Sequence, residues 1–313
     1  MKWVKKGLIF KAQGQFDWMY THIQNPYAVK LQDRVRIYFT TRPKPINGLF
    51  RSVTAFVDLD INNLNNILGF SPKPILEYGE AGAFDENGIM PGSIVFRDKE
   101  VWLYYAGWQR GVTVPYFWSI GLAISKDGGI TFEKFGNGPI MSLNYDEPYL
   151  LAAPRSVFFA KGKWHMLYGS GTGWIQNEGK IESMYLNRHA VSSDGIHWIR
   201  DKEPCVEKVY EDESQSACFT IEKNGRYHMF FPYRHSYNFR NPQRSYRIGY
   251  AYSDDLTTWI RDDKNVGITV SETGGDSEQV CYPHVIELDR KWIMFYCGNG
   301  FGVGGLGWAE LGQ

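Results

Sequence analysis

The sequence predicts an all-β fold, a single five-bladed β-propeller spanning residues 1–313. Three observations lead there. Short aromatic and β-branched stretches recur with a period of roughly sixty-five residues, the mark of a repeat architecture. Asp-Gly and Lys-Gly turns separate many of them, as tight hairpins require. The composition includes 11 Trp, 20 Tyr, 19 Phe and 33 Gly, which favours many short strands over helices.

Each repeat reads as four strands. The first type appears as "NPYAV" (from Asn25), "MPGSIVF" (Met90), "APRSVFF" (Ala153), "SACFTI" (Ser216) and "YPHVIEL" (Tyr282). The second follows as "VRIYFTT", "VWLYYAGW", "KWHMLYGSG", "RYHMFFPYR" and "KWIMFYCGNG". The third reads "FRSVTAFVDLD", "WSIGLAISKDG", "YLNRHAVSSDG", "YRIGYAYSDDL" and "GLGWAEL". Four repeats continue into a fourth segment, such as "TFEKFGNGPIM", whereas the fifth stops after its third. The opening "MKWVKKGLIF" resembles the missing strand and is expected to pair with the last blade, closing the ring. Closure protects sheet edges that would otherwise template aggregation. Trp102, Trp164, Trp198, Trp259 and Trp292 are expected to pack between blades.

Charge and cysteine usage exclude several classes. Lys plus Arg number 34, and Asp plus Glu also 34, so no global field draws the chain to nucleic acid or an anionic membrane. No stretch approaches the ~20 apolar residues of a membrane span, and the apolar run near the start is too short for a signal peptide. Cys205, Cys218, Cys281 and Cys297 lack metal-binding spacing and read as reduced thiols of a cytoplasmic protein, with a Cys281–Cys297 bridge the minority alternative. There is no G-x-S-x-G, P-loop or zinc motif, so neither cofactor nor metal is called for.

The meander assigns loops to faces. First-to-second and third-to-fourth turns are minimal ("RDKE", "AKGK", "SSDG"). The second-to-third loops are long: "TRPKPINGL", "WQRGVTVPYF", "GTGWIQNEGKIES" and "RHSYNFRNPQRS". Long irregular loops gathered on one face mark a functional funnel. Arg240 and Arg244 are expected on its rim. The blade-to-blade crossings open on the same face, carrying Asp85, Asp146–Glu147, Asp212–Glu213, Asp276 and Glu278.

Carboxylates beside rings and arginines suit chemistry on a saccharide. One carboxylic acid protonates the leaving oxygen, and a second carboxylate activates water or attacks the anomeric carbon. Aromatic faces pack on sugar rings, and Arg binds hydroxyls or acidic substituents. Asp85 and Glu213 are therefore expected as the acid/base pair, with Glu278 a third central carboxylate. Asn25, Arg42, Trp108, Arg155, Trp174, Arg234 and His284 are the expected binding residues. Four of them have a plainer alternative: Asp85 as a turn acid, Glu213 as solvated loop charge, Arg155 as a paired axial cation, and His284 as a satisfied core residue.

"SKDGGITF" and "SSDGIHW", with the looser "SDDLTTW", resemble the blade signature of the five-bladed glycoside hydrolase superfamily that includes families 43, 32, 68 and 130. "FDENGIMPGSIV", "YYAGWQRGVTVPYFWSIGLAISKDGG" and "DSEQVCYPHVIEL…GNGFG" resemble glycosidase-like propellers often encoded beside polysaccharide biosynthesis genes. The resemblance implies glycoside hydrolysis, with phosphorolysis of the family-130 type (phosphate held by Arg42, Arg155, Arg234 or His235) or sugar binding without turnover as alternatives. Families 43 and 32 place an Asp where this chain has Asn25. Their fourth-blade Glu would fall near Ser216, and family 130 places its acid where Met90 stands.

Overall fold

In the computed structural model, which describes residues 1–216 and 218–312, five antiparallel sheets surround one axis. Blade 1 comprises Thr21–Lys30, Arg34–Arg42, Val53–Asp60 and Asn63–Phe70. Blade 2 comprises Gly88–Arg97, Glu100–Arg110, Tyr116–Ser125 and Glu133–Lys134. Blade 3 comprises Ser156–Ala160, Lys163–Asn177, Lys180–Ser192 and Ile199–Pro204. In blade 4 the inner strand is split into Glu213–Gln215 and Phe219–Lys223, both pairing with Arg226–His235, and Arg247–Ser253 and Ile260–Arg261 follow.

Blade 5 takes Cys281–Leu288, Lys291–Cys297 and Leu306–Leu311 from the end of the chain and Trp3–Phe10 from its beginning. The register runs antiparallel from Trp3 opposite Leu311 to Phe10 opposite Leu306. The predicted ring closure is therefore present.

Apolar residues segregate into one cluster per blade interface. Phe39 and Ala55 of blade 1 meet Phe295 and Leu306 of blade 5, and Tyr38 meets Leu103 and Ala123 of blade 2. Trp102, Trp164 and Trp198 join the cluster between blades 2 and 3, Trp259 that between 3 and 4, and Trp292 that between 4 and 5. Alternating side chains place one face of each strand against each neighbouring blade, so the second strands are buried on both sides, whereas the outer fourth strands are largely exposed.

The Ser-x-Asp turns work by one repeated mechanism. Asp127 Oδ1 accepts from the Ile130 and Thr131 amides (3.0 Å each), and Ser125 Oγ accepts from the Gly129 amide (2.8 Å). Asp194 and Ser192 do the same for residues 195–197, and Asp255 and Ser253 for residues 256–258. Two of these turns latch onto the preceding blade: Tyr38 OH donates to the Gly129 carbonyl (2.8 Å) and Tyr104 OH to the Gly195 carbonyl (2.9 Å). All four cysteines are free, although Cys281 and Cys297 face each other in register. Among the described residues, no helix is long and apolar enough to cross a membrane.

Candidate functional site

The residues that open the five inner-strand repeats, Asn25, Met90, Ala153, Ser216 and Tyr282, all line one axial cavity of about 230 Å³. Each blade contributes one. Asn25 (φ 51°) and Tyr282 (φ 53°) are left-handed just ahead of prolines, where the ladder slips between Gln24 and Tyr27 and between Cys281 and His284. Such bulges re-aim a side chain out of the ladder. Asn tolerates that conformation, whereas for Tyr282 it costs about 1–3 kcal/mol, a strain typical of ligand sites. None of the five floor residues is a carboxylate.

The wall comes from the third strands and the long loops. Trp118, Tyr185 and Tyr246 each stand at the start of a third-strand repeat and line the cavity, with Phe239 and Phe301 above them. Tyr116 stacks on Trp118 (ring centroids 4.7 Å, interplanar 12°), and Trp174 meets Tyr116 edge-on at 5.3 Å. This makes a half-buried aromatic platform, anchored by a 2.9 Å contact between Tyr116 OH and Ser183 Oγ.

The charged lining consists of Arg42, Arg234, Arg240 and Glu182. Arg234 is 2 % exposed. Its Nε donates to Tyr246 OH (3.2 Å), Nη1 to the His235 carbonyl (2.8 Å), and Nη2 to the Ser183 carbonyl (3.0 Å) and Tyr185 OH (3.3 Å). Its guanidinium sits 3.8 Å from the Phe239 ring centroid. The Tyr185 and Tyr246 hydroxyls also bond each other, and burial pushes Tyr246 far above the usual phenol range. Arg240 Nη1 lies 2.5 Å from Glu182 Oε1. Arg42 makes one side-chain hydrogen bond among the described residues, to Gln24 Oε1 at 3.4 Å, and burial lowers its pKa.

Below the floor, Arg155 and His284 occupy the axis, 0 % and 2 % exposed. Arg155 Nη2 donates to the Pro26 carbonyl, while Nε and Nη1 have no partner among the described residues. Burial lowers the Arg155 pKa to about 10. His284 Nδ1 accepts from the Ala28 amide (3.2 Å), and its ring packs 3.9 Å from Phe219 and 4.1 Å from Tyr27. Burial first, and then Arg155, drive the His284 pKa well below 6.5, so the imidazole is neutral.

The three carboxylates expected to converge do not meet in the cavity. Asp85, 0 % exposed, accepts from Tyr105 OH (2.9 Å) and pairs with Lys134 (2.7 Å), and its Oδ1 is buried without a partner. Glu213, 1 % exposed, accepts from Arg261 (2.7 Å), Gln215 (3.0 Å) and the Val209 amide (2.8 Å). Glu278 is exposed, its backbone amide held by Asn299 at 2.8 Å. Trp108 donates to Ser52 Oγ (2.7 Å) between blades 1 and 2, and Trp174 stands behind Tyr116. Of the other expected binding residues, Asn25, Arg42 and Arg234 line the cavity.

The crossing acids share a different geometry. In blade 3, Glu147 accepts from Tyr168 OH (2.9 Å) and Arg200 (2.8 Å); in blade 5, Asp276 accepts from Tyr296 OH (2.9 Å) and Lys5 (2.6 Å). In blades 2, 3 and 5, then, an acid before the inner strand, a second-strand tyrosine and a fourth-strand cation form a clamp. Burial, and then the neighbouring carboxylate, raise the pKa of Tyr105, Tyr168 and Tyr296. Blade 4 keeps the acid and Arg261 but has Phe231 in the tyrosine position, with the guanidinium 5.1 Å from its ring. In blade 1 the corresponding space is filled by Phe10, Phe39 and Phe70.

Sequence reasoning missed Glu182 and the Trp118–Tyr185–Tyr246 set. The signal was present: each aromatic opens its third-strand repeat seven residues ahead of the turn serines Ser125, Ser192 and Ser253. Glu182 carries no comparable mark, because only the folded hairpin of blade 3 brings it over the axis.

No family model matches the chain. The uncharacterized protein Rv1502 of Mycobacterium tuberculosis is 36% identical over 314 residues, covering 99% of this chain and 99% of that protein. Among solved structures, a glycoside hydrolase superposes with a TM-score of 0.77 at 19% identity, covering 99% of this chain and 91% of the other. A thermostable family-43 glycoside hydrolase superposes with a TM-score of 0.65 at 17% identity, covering 92% and 88%. Family-32 and family-130 propellers share the fold as well.

Proposed function

Because the chain belongs to the family of the mycobacterial protein Rv1502, and its fold is that of glycosidase propellers, we propose that its axial funnel binds a saccharide and processes a glycosidic bond. The observation that carries this reading is Glu182, a carboxylate set among Trp118, Tyr185, Tyr246 and three arginines over a closed floor. The Tyr116–Trp118 platform offers a π-face to the apolar side of a sugar ring. Arg234, immobilised by four acceptors, presents a fixed edge rather than a mobile charge. Glu182, which Arg240 orients, is the group available for proton transfer at a glycosidic oxygen. Asp85 and Glu213 tie together the strands of their own blades in this reading and do not touch substrate.

Hydrolysis by paired carboxylates needs a second acid facing the first. The floor residues Asn25, Met90 and Ser216 supply none, which favours saccharide binding without turnover as the second reading. A fold can keep its pocket and lose its reaction. Calorimetry and product analysis against a glycan library separate the two. Cleavage abolished by Glu182→Gln supports processing, and binding with no product supports the second reading. Absence of saccharide binding at the funnel would sink both.

A further inference from the structure

The funnel carries more positive charge than saccharide hydroxyls require. Arg42, Arg234 and Arg240 face a single carboxylate, Glu182, in a chain whose basic and acidic residues balance at 34 each. Arg240 is neutralised by Glu182 at 2.5 Å. The donors of Arg234 end on tyrosine hydroxyls and backbone carbonyls, which position the guanidinium without cancelling its charge.

Arg42 is different. Among the described residues its side chain makes one long hydrogen bond, to Gln24 Oε1 at 3.4 Å, and its guanidinium lies 5.6 Å from the Phe50 ring centroid. No acid pairs with it, although it is half-buried at the edge of the floor. Just beneath, Arg155 is 0 % exposed, and among the described residues two of its nitrogens are unpartnered and a backbone carbonyl is its one acceptor. Partly desolvated cations without counter-ions are unfavourable unless a ligand supplies the opposite charge. A concave site with low-dielectric walls also concentrates the field of such cations on whatever enters.

We infer that the saccharide taken by the funnel carries an anionic substituent, a carboxylate or a phosphate ester, and that Arg42 binds it. This rests on the saccharide reading of the funnel. Arg42 stands at the floor with Gln24 and Asn25, and lines the same cavity as the Trp118 wall. The anionic group enters near the floor while the ring rests on the wall. Arg is suited to this role because its planar fork meets either anion in a bidentate fashion.

The test is calorimetry on the intact chain with matched probes. These are a disaccharide bearing glucuronic acid and its methyl ester, a phosphorylated disaccharide and its unphosphorylated form, and inorganic phosphate alone. One anionic disaccharide should bind about ten- to a hundredfold more tightly than its neutral partner, as expected for a charge-assisted bond. The preference should weaken with salt. Arg42→Met should bring the pair to equal affinity, and Arg42→Lys should restore part of the difference. Circular dichroism of both variants confirms that they fold. Equal affinity of anionic and neutral disaccharides in the unaltered protein overturns the inference and leaves the saccharide reading standing. So does inorganic phosphate binding as tightly as the phosphorylated sugar. No binding of any saccharide overturns both.

Discussion

Lys5 Nζ lies 2.6 Å from Asp276 Oδ2, so the N-terminal strand that closes the ring is tied down by an ion pair across 271 positions of sequence. Ser271 Oγ and Tyr296 OH complete the arrangement at 2.9 Å each. Burial alone would raise the Asp276 pKa; Lys5, Ser271 and Tyr296 outweigh it and hold the carboxyl below its usual value.

Lys5→Met is expected to destabilise the fold by roughly 1–3 kcal/mol, less than a fully buried pair because both partners retain some solvent. Deleting residues 1–10 should do more, exposing the edge of Leu306–Leu311 and promoting aggregation. Thermal denaturation and light scattering measure both. The Asp276 contribution is fully present above the unfolded carboxylate pKa of about 4 and is lost as pH falls through the lower folded value. Unchanged melting in either variant would show that the closure is dispensable.

Asp85→Asn distinguishes a clamp from a catalyst. It leaves Lys134 facing a neutral amide at a buried position, and a loss of about 3–5 kcal/mol is expected. Saccharide affinity and any turnover per folded molecule should stay near that of the unaltered chain. A stable, folded and inactive Asp85→Asn would assign the residue to the reaction instead.

The propeller was legible because its signals are local and repeated. The Ser-x-Asp turns, the alternating inner strands and the orphan strand "MKWVKKGLIF" each recur or complete a pattern. The placement of the crossing acids outside the cavity was not legible, for a related reason. Their positions on the funnel face follow from topology, but the direction of each side chain depends on a partner two or three strands away. Tyr105 and Lys134 lie 20 and 49 residues beyond Asp85, and nothing near Asp85 announces them. Asn25 was readable because it opens the first inner-strand repeat, and Arg42 because it ends the second strand Arg34–Arg42. Glu182 was not, because its approach to the axis requires the extended hairpin formed by Lys163–Asn177 and Lys180–Ser192.

Neutral His284 makes stability depend on pH. Its folded pKa lies well below 6.5, so as pH drops below about 6.5 the unfolded chain binds a proton that the folded site refuses. Stability should fall by up to about 1.4 kcal/mol per pH unit from this group below that point, and be insensitive to it above. His284→Gln should flatten the slope between about pH 5 and 6.5. Urea denaturation across that range checks it, and an unaltered slope would mean that His284 is not the group responsible.

Trp118→Ala removes the wall half of the Tyr116–Trp118 stack. Saccharide affinity should drop about tenfold, by the aromatic contribution of roughly 1 kcal/mol or more. Trp108→Ala, which alters a residue bonded to Ser52 outside the cavity, should leave affinity within about twofold. Equal losses in both would place the sugar elsewhere on the rim.

A crystal structure with a bound saccharide tests the central claim most directly. A sugar ring should lie against Trp118, with a glycosidic or hydroxyl oxygen within ~3 Å of the Glu182 carboxylate. A saccharide seated outside the cavity lined by Asn25, Met90, Ala153, Ser216 and Tyr282, or one contacted by Asp85 or Glu213 while Glu182 stays paired with Arg240, would contradict it.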